Sequence, residues 1–210
     1  MKEKIISQAV EVFNRKGISK TTLRDIAHEL AISDGHLRYY FKTKEELVLA
    51  IFSEMEREIT SFATKAVTNF TDAQALVAPL TDIYQVMYRY VFFFIESAPI
   101  LETFPRVYVA YEQLFQSRRE LFLALFEEYK SNGIFEDEVA VHIFPLLFEQ
   151  VFIISDSWVR YARLPQNRHH TQEKQIKYYV AVTVALFLPY FNASLKDEVS
   201  AWLKQVDELQ

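Results

Sequence analysis

Residues 22–41 read TLRDIAHELAISDGHLRYYF, and this stretch decides the architecture. Thr22 followed by Asp25 is a capping-box pattern that starts a helix. Leu23, Ile26, Ala27 and Leu30 give that helix one apolar face. Ala31, Ile32 and Ser33 form a turn, and Ser33 is a good N-cap for a second helix over 34–40. On it Leu37, Tyr40 and Phe41 fall at i, i+3 and i+4 and pack inward, so Asp34, Gly35, Arg38 and Tyr39 face away. So short a helix buries little, and its outward face exists for contact. Two short helices joined by a tight turn make a helix-turn-helix, whose second helix commonly enters the major groove of DNA.

The flanks agree. Ile5, Ala9, Val12 and Phe13 form one face of a helix over 2–16, closed by Gly17 as a C′ residue. Thr43-Lys44-Glu45-Glu46 is another capping box, opening a helix through Leu47, Ile51 and Met55 to residue 65. Beyond residue 72 the pattern is long helices with brief breaks: 72–97 stopping before Pro99, 100–109 bent at Pro105, and 111–131 ended by Asn132-Gly133. Then come 137–163 kinked at Pro145, 171–191, and a terminal helix over 195–209. The polar segment LPQNRHH (164–170) is a connector.

Only three glycines occur in 210 residues and alternating β-branched runs are scarce, which predicts an all-α chain. With no cysteine there is no disulfide scaffold, thiolate metal site or cysteine nucleophile. The N-terminus lacks the apolar core of a signal peptide. The longest apolar run, 180–191, is too short to span a bilayer and contains Pro189, so a soluble, cytoplasmic protein is expected. Net charge is −5, but residues 1–48 carry nine Lys/Arg against seven Asp/Glu, while 49–210 carry fourteen against twenty-one. The first segment is therefore the one suited to phosphate, and the small excess predicts weak, salt-sensitive non-specific binding.

The first 50 residues resemble the DNA-binding domain of the tetracycline-repressor (TetR) family. The likeness lies in Ile6-x-x-Ala9-x-x-x-Phe13, Gly17, Thr21-Thr22, Ile26-Ala27, Ile32-Ser33-x-Gly35 and Tyr39-Tyr40-Phe41-Lys42-Thr43-Lys44-Glu45-Glu46-Leu47. The resemblance implies a helix-turn-helix DNA-binding domain over 1–48 and a helical ligand-binding and dimerisation domain over 49–210, with about nine to ten helices in all. It implies a homodimer on a palindromic operator, most simply a repressor, released by a small apolar or aromatic effector. By the same likeness Thr22 and Arg24 touch DNA backbone or an edge base. Ser33 opens the reading helix, which presents Asp34, Gly35, His36, Arg38 and Tyr39 to the groove, and Lys44 meets a phosphate. Where the family usually has tyrosine, this chain has Arg38. Its fork suits guanine O6 and N7; phosphate contact and an i,i+4 pair with Asp34 are the open alternatives.

Beyond residue 72 large rings abound. Most are ordinary core, and Tyr84, Tyr88, Phe92, Phe104, Tyr108, Tyr111, Phe115 and Phe152 are candidates for an aromatic-lined pocket. The helices over 137–163 and 171–191 are apolar on more than one face. Phe148, Phe152, Ile176, Tyr179, Val180, Thr183 and Phe187 are therefore candidates for a dimer interface. His169-His170 lacks a carboxylate in its segment and is read as solvated rather than metal-binding. No metal or cofactor is expected. The rivals are a helical interaction or ligand-binding protein of this fold that does not read DNA and, further off, an enzyme. No His-Glu-x-x-His, phosphate-cradling glycine loop or nucleophile elbow is present, and no catalytic residue is assigned.

Overall fold

The structure, a computed structural model of the 210-residue chain, describes residues 1–68, 72–167 and 170–207. Among these residues there are eleven α-helices: α1 (Lys2–Lys16), α2 (Leu23–Glu29), α3 (Asp34–Tyr40), α4 (Lys44–Thr68), α5 (Ala73–Arg89), α6 (Val91–Ile95), α7 (Ser97–Thr103), α8 (Pro105–Ser131), α9 (Phe144–Ala162), α10 (Gln172–Ala185) and α11 (Ala193–Asp207). The described β structure is one antiparallel bridge between Phe135 and Phe191. No helix among the described residues is long and apolar enough to cross a membrane.

The first three helices form as their sequences predict, but prolines behave differently downstream. Pro99, Pro105 and Pro145 all lie in the first turns of α7, α8 and α9. A first-turn amide has no intrahelical acceptor, so proline there starts a helix instead of stopping or kinking one. Helix α8 accordingly begins at Pro105 and runs for 27 residues, absorbing half of the segment expected as a separate short helix. The single helix expected over 72–97 is broken at Tyr90 and Glu96, giving α5, α6 and the start of α7. The helix expected to reach residue 191 ends at Ala185.

The chain divides into two compact units. The first comprises Met1–Glu58 with Val86–Leu114, so it holds the whole helix-turn-helix segment together with α6, α7 and the start of α8. Its core is built from Ile5, Ala9, Val12 and Phe13 of α1, Leu23, Ile26 and Ala27 of α2, Leu37 of α3, and Leu47, Val48, Ile51 and Phe52 of α4. Phe92 sits 5.1 Å from Phe13 and Phe93 sits 5.2 Å from Phe52, ring centre to ring centre. Asn14 answers the helix break at Tyr90. Its Nδ2 donates to the Arg89 carbonyl at 2.8 Å and its Oδ1 accepts from the Phe92 amide at 2.9 Å. Two backbone groups that the break removes from a helix ladder are thereby satisfied.

The second unit comprises Ile59–Gln85 with Phe115–Gln210. Its centre is a cluster of rings, Phe126, Phe135, Phe144, Phe187 and Phe191, with Phe126 within 6.0 Å of the first, second and third of its partners. The chain crosses itself here: the Glu136 amide donates to the Tyr190 carbonyl and the Asn192 amide to the Ile134 carbonyl, each at 2.9 Å. Trp158 stacks on Tyr84 at 4.8 Å, and the Tyr84 hydroxyl bonds Thr183.

This packing corrects the dimer-interface reading. Phe148, Ile176, Val180, Thr183 and Phe187 are buried within the subunit, and Phe152 and Tyr179 are half-buried against Phe115 and Trp158. A second copy cannot reach the five buried ones, while Phe152 and Tyr179 keep part of their surface. The apolar side chains that α9 and α10 leave exposed are Leu146, Ile153, Tyr161 and Tyr178. Truncating Phe135 to Ala should remove about 3–5 kcal/mol of stability through the void left in the ring cluster, read by urea or guanidinium unfolding.

Candidate nucleic-acid interface

The α1–α2 turn is the starting point, because it decides where α2 and α3 begin. Gly17 has φ +83°, a left-handed value that suits glycine, and a Cβ there would lie 2.8 Å from Oε1 of Glu96. Glu96, at the α6–α7 corner, accepts from the Ile18 amide at 2.9 Å, the Ser19 amide at 3.3 Å and the Ser19 hydroxyl at 2.7 Å. From the other side Lys44 donates to the Ile18 carbonyl. Burial pushes the Lys44 ammonium below its ordinary pKa, while the charges of Glu96 and Asp25 pull it back up.

Thr22 then caps α2. Its Oγ1 accepts from the Asp25 amide at 3.2 Å, and Asp25 Oδ2 accepts from the Thr22 amide at 2.7 Å and from its hydroxyl at 2.6 Å, completing the capping box. These bonds, the Thr22 hydroxyl first, hold the Asp25 carboxyl below the ordinary 3.8. Lys16 and then Arg15 do the same for Glu29, which pins the end of α2 to α1.

The turn into α3 is a Schellman motif: the Ile32 amide donates to Ala27 and the Ala31 amide to His28, both at 3.0 Å. Its left-handed residue is Ala31, with φ 53°. Ser33 caps α3 by accepting from the His36 amide at 3.1 Å. Leu37 is fully buried and Phe41, just past the helix, is buried beside it; Tyr40 is half-buried. Outward lie Gly35, His36, Arg38 and Tyr39, the last 81% exposed and packed edge-on against Tyr40 at 5.2 Å. Gly35 has no atom within 4 Å of where a Cβ would be, so nothing inside the protein requires glycine there.

The predicted contact residues fall into groups. Gly35, His36, Arg38 and Tyr39 share the exposed face of α3, and Arg24 is exposed on α2. The Ser33 and Thr22 side chains are exposed but serve as caps. Asp34 is half-buried and pairs with Arg38, Nε to Oδ2 at 2.7 Å. Lys44 is turned inward to Ile18, so a phosphate role would require it to leave that carbonyl. Glu46 accepts from the Lys42 amide at 2.8 Å, one residue further back than a strict capping box places it.

Sequence reasoning missed Glu96, Asn14 and the Lys42 carbonyl, which accepts from Arg38 Nη1 at 3.1 Å. Glu96 and Asn14 act across 75 to 78 residues and carry no local signal.

In the second unit a cavity of about 70 Å³ lies among Leu76, Pro79, Leu80 and Ile83 of α5, Leu121, Phe122, Leu125, Phe126 and Tyr129 of α8, Val151 of α9, Thr183 of α10, and Phe187 and Phe191. None of the eight aromatic residues assigned to a pocket lines it. Tyr88, Phe92, Phe104, Tyr108 and Tyr111 belong to the first unit, where Phe92 packs on the helix-turn-helix core and Tyr108 is exposed. Tyr84 is core, tied to Thr183, and Phe115 and Phe152 pack on each other. The His169 of the polar connector lies outside the described residues; His170 borders a recess with Asn167, Lys174 and Lys177.

Comparison with known proteins bears on both units. Residues 5–51 match the model described as bacterial regulatory proteins, tetR family, and residues 54–199 match that described as bacterial transcriptional repressor. The chain belongs to the tetR family of bacterial regulatory proteins. It is 37% identical over 79 residues to the probable HTH-type transcriptional regulator YttP of Bacillus subtilis, covering 36% of this chain and 38% of YttP. It is 29% identical over 143 residues to IcaR of Staphylococcus aureus, a negative transcriptional regulator of the biofilm operon icaADBC, covering 65% of this chain and 75% of IcaR. The chain spans less than half the length of the first curated relatives it matches, 38%, 17% and 46%. A TetR-family regulator from Marinobacter aquaeolei shares the fold at a TM-score of 0.86 with 20% identity, over 98% of each chain. KstR2 of Mycobacterium tuberculosis does so at 0.69 with 17% identity, over 91% of this chain and 95% of that one.

Removing the α2 cap with Thr22→Ala should cost about 0.5–2 kcal/mol near neutral pH. The folded-state pKa of Asp25 is depressed, so its contribution is present above the unfolded value and is lost as pH falls through the folded one. The gap between wild type and variant in denaturant midpoint should therefore narrow as pH drops below 3.8.

Proposed function

We propose that this chain is a ligand-responsive transcriptional regulator, a repressor that binds a palindromic operator as a homodimer and leaves it when a small apolar effector binds. The observation that carries the DNA reading is the outward face of α3. Gly35, His36, Arg38 and Tyr39 lie exposed on a helix held down by Leu37 and Phe41, and none of the four is part of the buried core. Glycine is a poorer helix former than alanine, and open space around Gly35 offers no internal return for having it there. Close approach of a nucleic-acid backbone or base edge supplies one.

Arg38 reads a guanine in each half-site on this proposal, through the three N–H groups it does not give to Asp34 and Lys42. Arg24 and the α2 start meet the DNA backbone. The exposed Leu146 and Ile153 of α9 and Tyr178 of α10 support pairing of two copies, which two half-sites require.

The cavity supports an effector of low polarity. Its wall is almost wholly hydrocarbon, and the Thr183 hydroxyl that reaches it donates to the Tyr179 carbonyl. At about 70 Å³ it is under half the ~150 Å³ that holds benzene in an engineered apolar cavity. A ligand beyond a few heavy atoms must therefore displace some of the lining side chains. The names of two relatives, a negative regulator and a ketosteroid regulator, are in keeping with repression and an apolar effector.

Fluorescence anisotropy with duplex DNA from the chain's own promoter tests the reading. Binding should exceed that of a scrambled duplex and weaken steeply with salt. Arg38→Ala should lose about 1–3 kcal/mol on the preferred duplex and much less on one altered at the base pair it reads; an equal loss on all duplexes would exclude base reading. Gly35→Ala should raise the unfolding midpoint while weakening DNA binding. A gain in both would remove Gly35 from the interface.

A further inference from the structure

Arg38 is held on two flanks. Four residues before it, Asp34 Oδ2 accepts from Nε at 2.7 Å; four residues after it, the Lys42 carbonyl accepts from Nη1 at 3.1 Å. A guanidinium is planar, so contacts at two of its nitrogens fix the orientation of the whole fork. Both N–H groups of Nη2 and one of Nη1 remain to donate.

Fold stability gives Asp34 only the small favourable effect of a carboxylate in the first turn of α3. The pair is exposed, 50% and 38% at the two side chains, and such i,i+4 pairs contribute little in water. Ser33 already supplies the α3 cap. The carboxylate is also poorly placed on its own account, since Oδ1 is enclosed without a hydrogen-bond partner. Its negative charge sits on the helix that is to meet polyanionic DNA, which lowers affinity for every sequence alike. A side chain that weakens all binding can still raise selectivity, because selectivity is a difference between affinities.

We propose that Asp34 is a positioning residue for Arg38: with the Lys42 carbonyl it pre-sets the guanidinium, so that the arginine reads one base pair instead of swinging to the nearest phosphate. The proposal rests on the reading of α3 as the groove-facing helix. Without Asp34 the fork gains rotamers, and a mobile arginine meets phosphate oxygens of any sequence as readily as base edges.

The test uses the full chain with a pool of duplex oligonucleotides carrying a randomised core, followed by anisotropy titrations on the selected duplex and its single-pair variants. Wild type, Asp34→Ala, Asp34→Asn, Arg38→Ala and the double variant Asp34→Ala/Arg38→Ala are compared, with thermal unfolding as a check on folding. At the pair read by Arg38, wild type should prefer the selected base by about 5- to 150-fold. Asp34→Ala should bind all duplexes more tightly and lose most of that preference. Asp34→Asn, which keeps the acceptor without the charge, should fall between. In the Arg38→Ala background, removing Asp34 should leave the base profile unchanged, which a merely structural role would not predict. If Asp34→Ala and Asp34→Asn retain the wild-type preference at that pair, the positioning role is overturned while base reading by Arg38 stands. If Arg38→Ala weakens every duplex equally, base reading fails first and the positioning role falls with it.

Discussion

A carboxylate and an ammonium together hold the α1–α2 turn, and the placement of α2 and α3 depends on that grip. The turn exposes the amides of Ile18 and Ser19 and the carbonyl of Ile18 where no helix ladder can satisfy them. Glu96 takes the amides and Lys44 takes the carbonyl. The charges of Glu96 and Asp25 also offset part of the desolvation that a lone half-buried lysine would bear in full. Glycine at position 17 makes this possible twice over, by its left-handed φ and by leaving room for the Glu96 oxygen. With the turn set, Thr21 bonds back to Gly17, Thr22 caps α2, and the register of α2 and α3 follows.

The second unit is held by different means. Aromatic rings fill its centre, in tilted contacts that join Phe126, Phe135, Phe144, Phe187 and Phe191 into one cluster. Rigid flat rings fill space with few rotamers, but they tile imperfectly. The small apolar cavity beside Phe126, Phe187 and Phe191 is where that tiling leaves room. The same residues that stabilise the unit therefore line its candidate effector site, so a bound ligand acts directly on the core.

What was legible in the sequence was what is written locally. Thr22 with Asp25, Ser33 before Asp34, and Gly17 and Gly133 past helix ends all mark boundaries within four residues, and the helices begin or end where those signals stand. The apolar spacing of α1, α2 and α3 separates buried from exposed faces in the same way. Pro99 read as a stop, Pro105 as a bend and Pro145 as a kink because proline is ambiguous: the ring that breaks a helix interior is harmless in a first turn, and only the tertiary break before it tells which applies. Ala31 hid its left-handed conformation because alanine carries no such signal. Core and interface were confused on α9 and α10, since an apolar residue reads the same whether another helix of the subunit or a second subunit covers it. The Asn14 and Glu96 contacts were invisible for a simpler reason: side chain and target are brought together by the fold alone.

The residues that hold α3 and the residues it presents are almost disjoint sets, and this has a consequence for specificity. Leu37 and Phe41 anchor the helix, Ser33 caps it and Ala31 turns the chain into it; Gly35, His36, Arg38 and Tyr39 do none of these things. Substitutions in the second set alter what the helix contacts without touching the core, so the sequence read can change while the fold does not. Arg38 is the partial exception. Its contacts to Asp34 and Lys42 tie it to the helix and to the segment leading into α4. A change at Arg38 therefore releases an acidic side chain whose oxygen is already enclosed, and it is coupled to Asp34 in a way that His36 and Tyr39 are not. On the proposed reading of α3, replacing the arginine alone would leave a carboxylate on the groove-facing helix with nothing to orient, so a shift in base preference at this position would be more favourable when both residues change together.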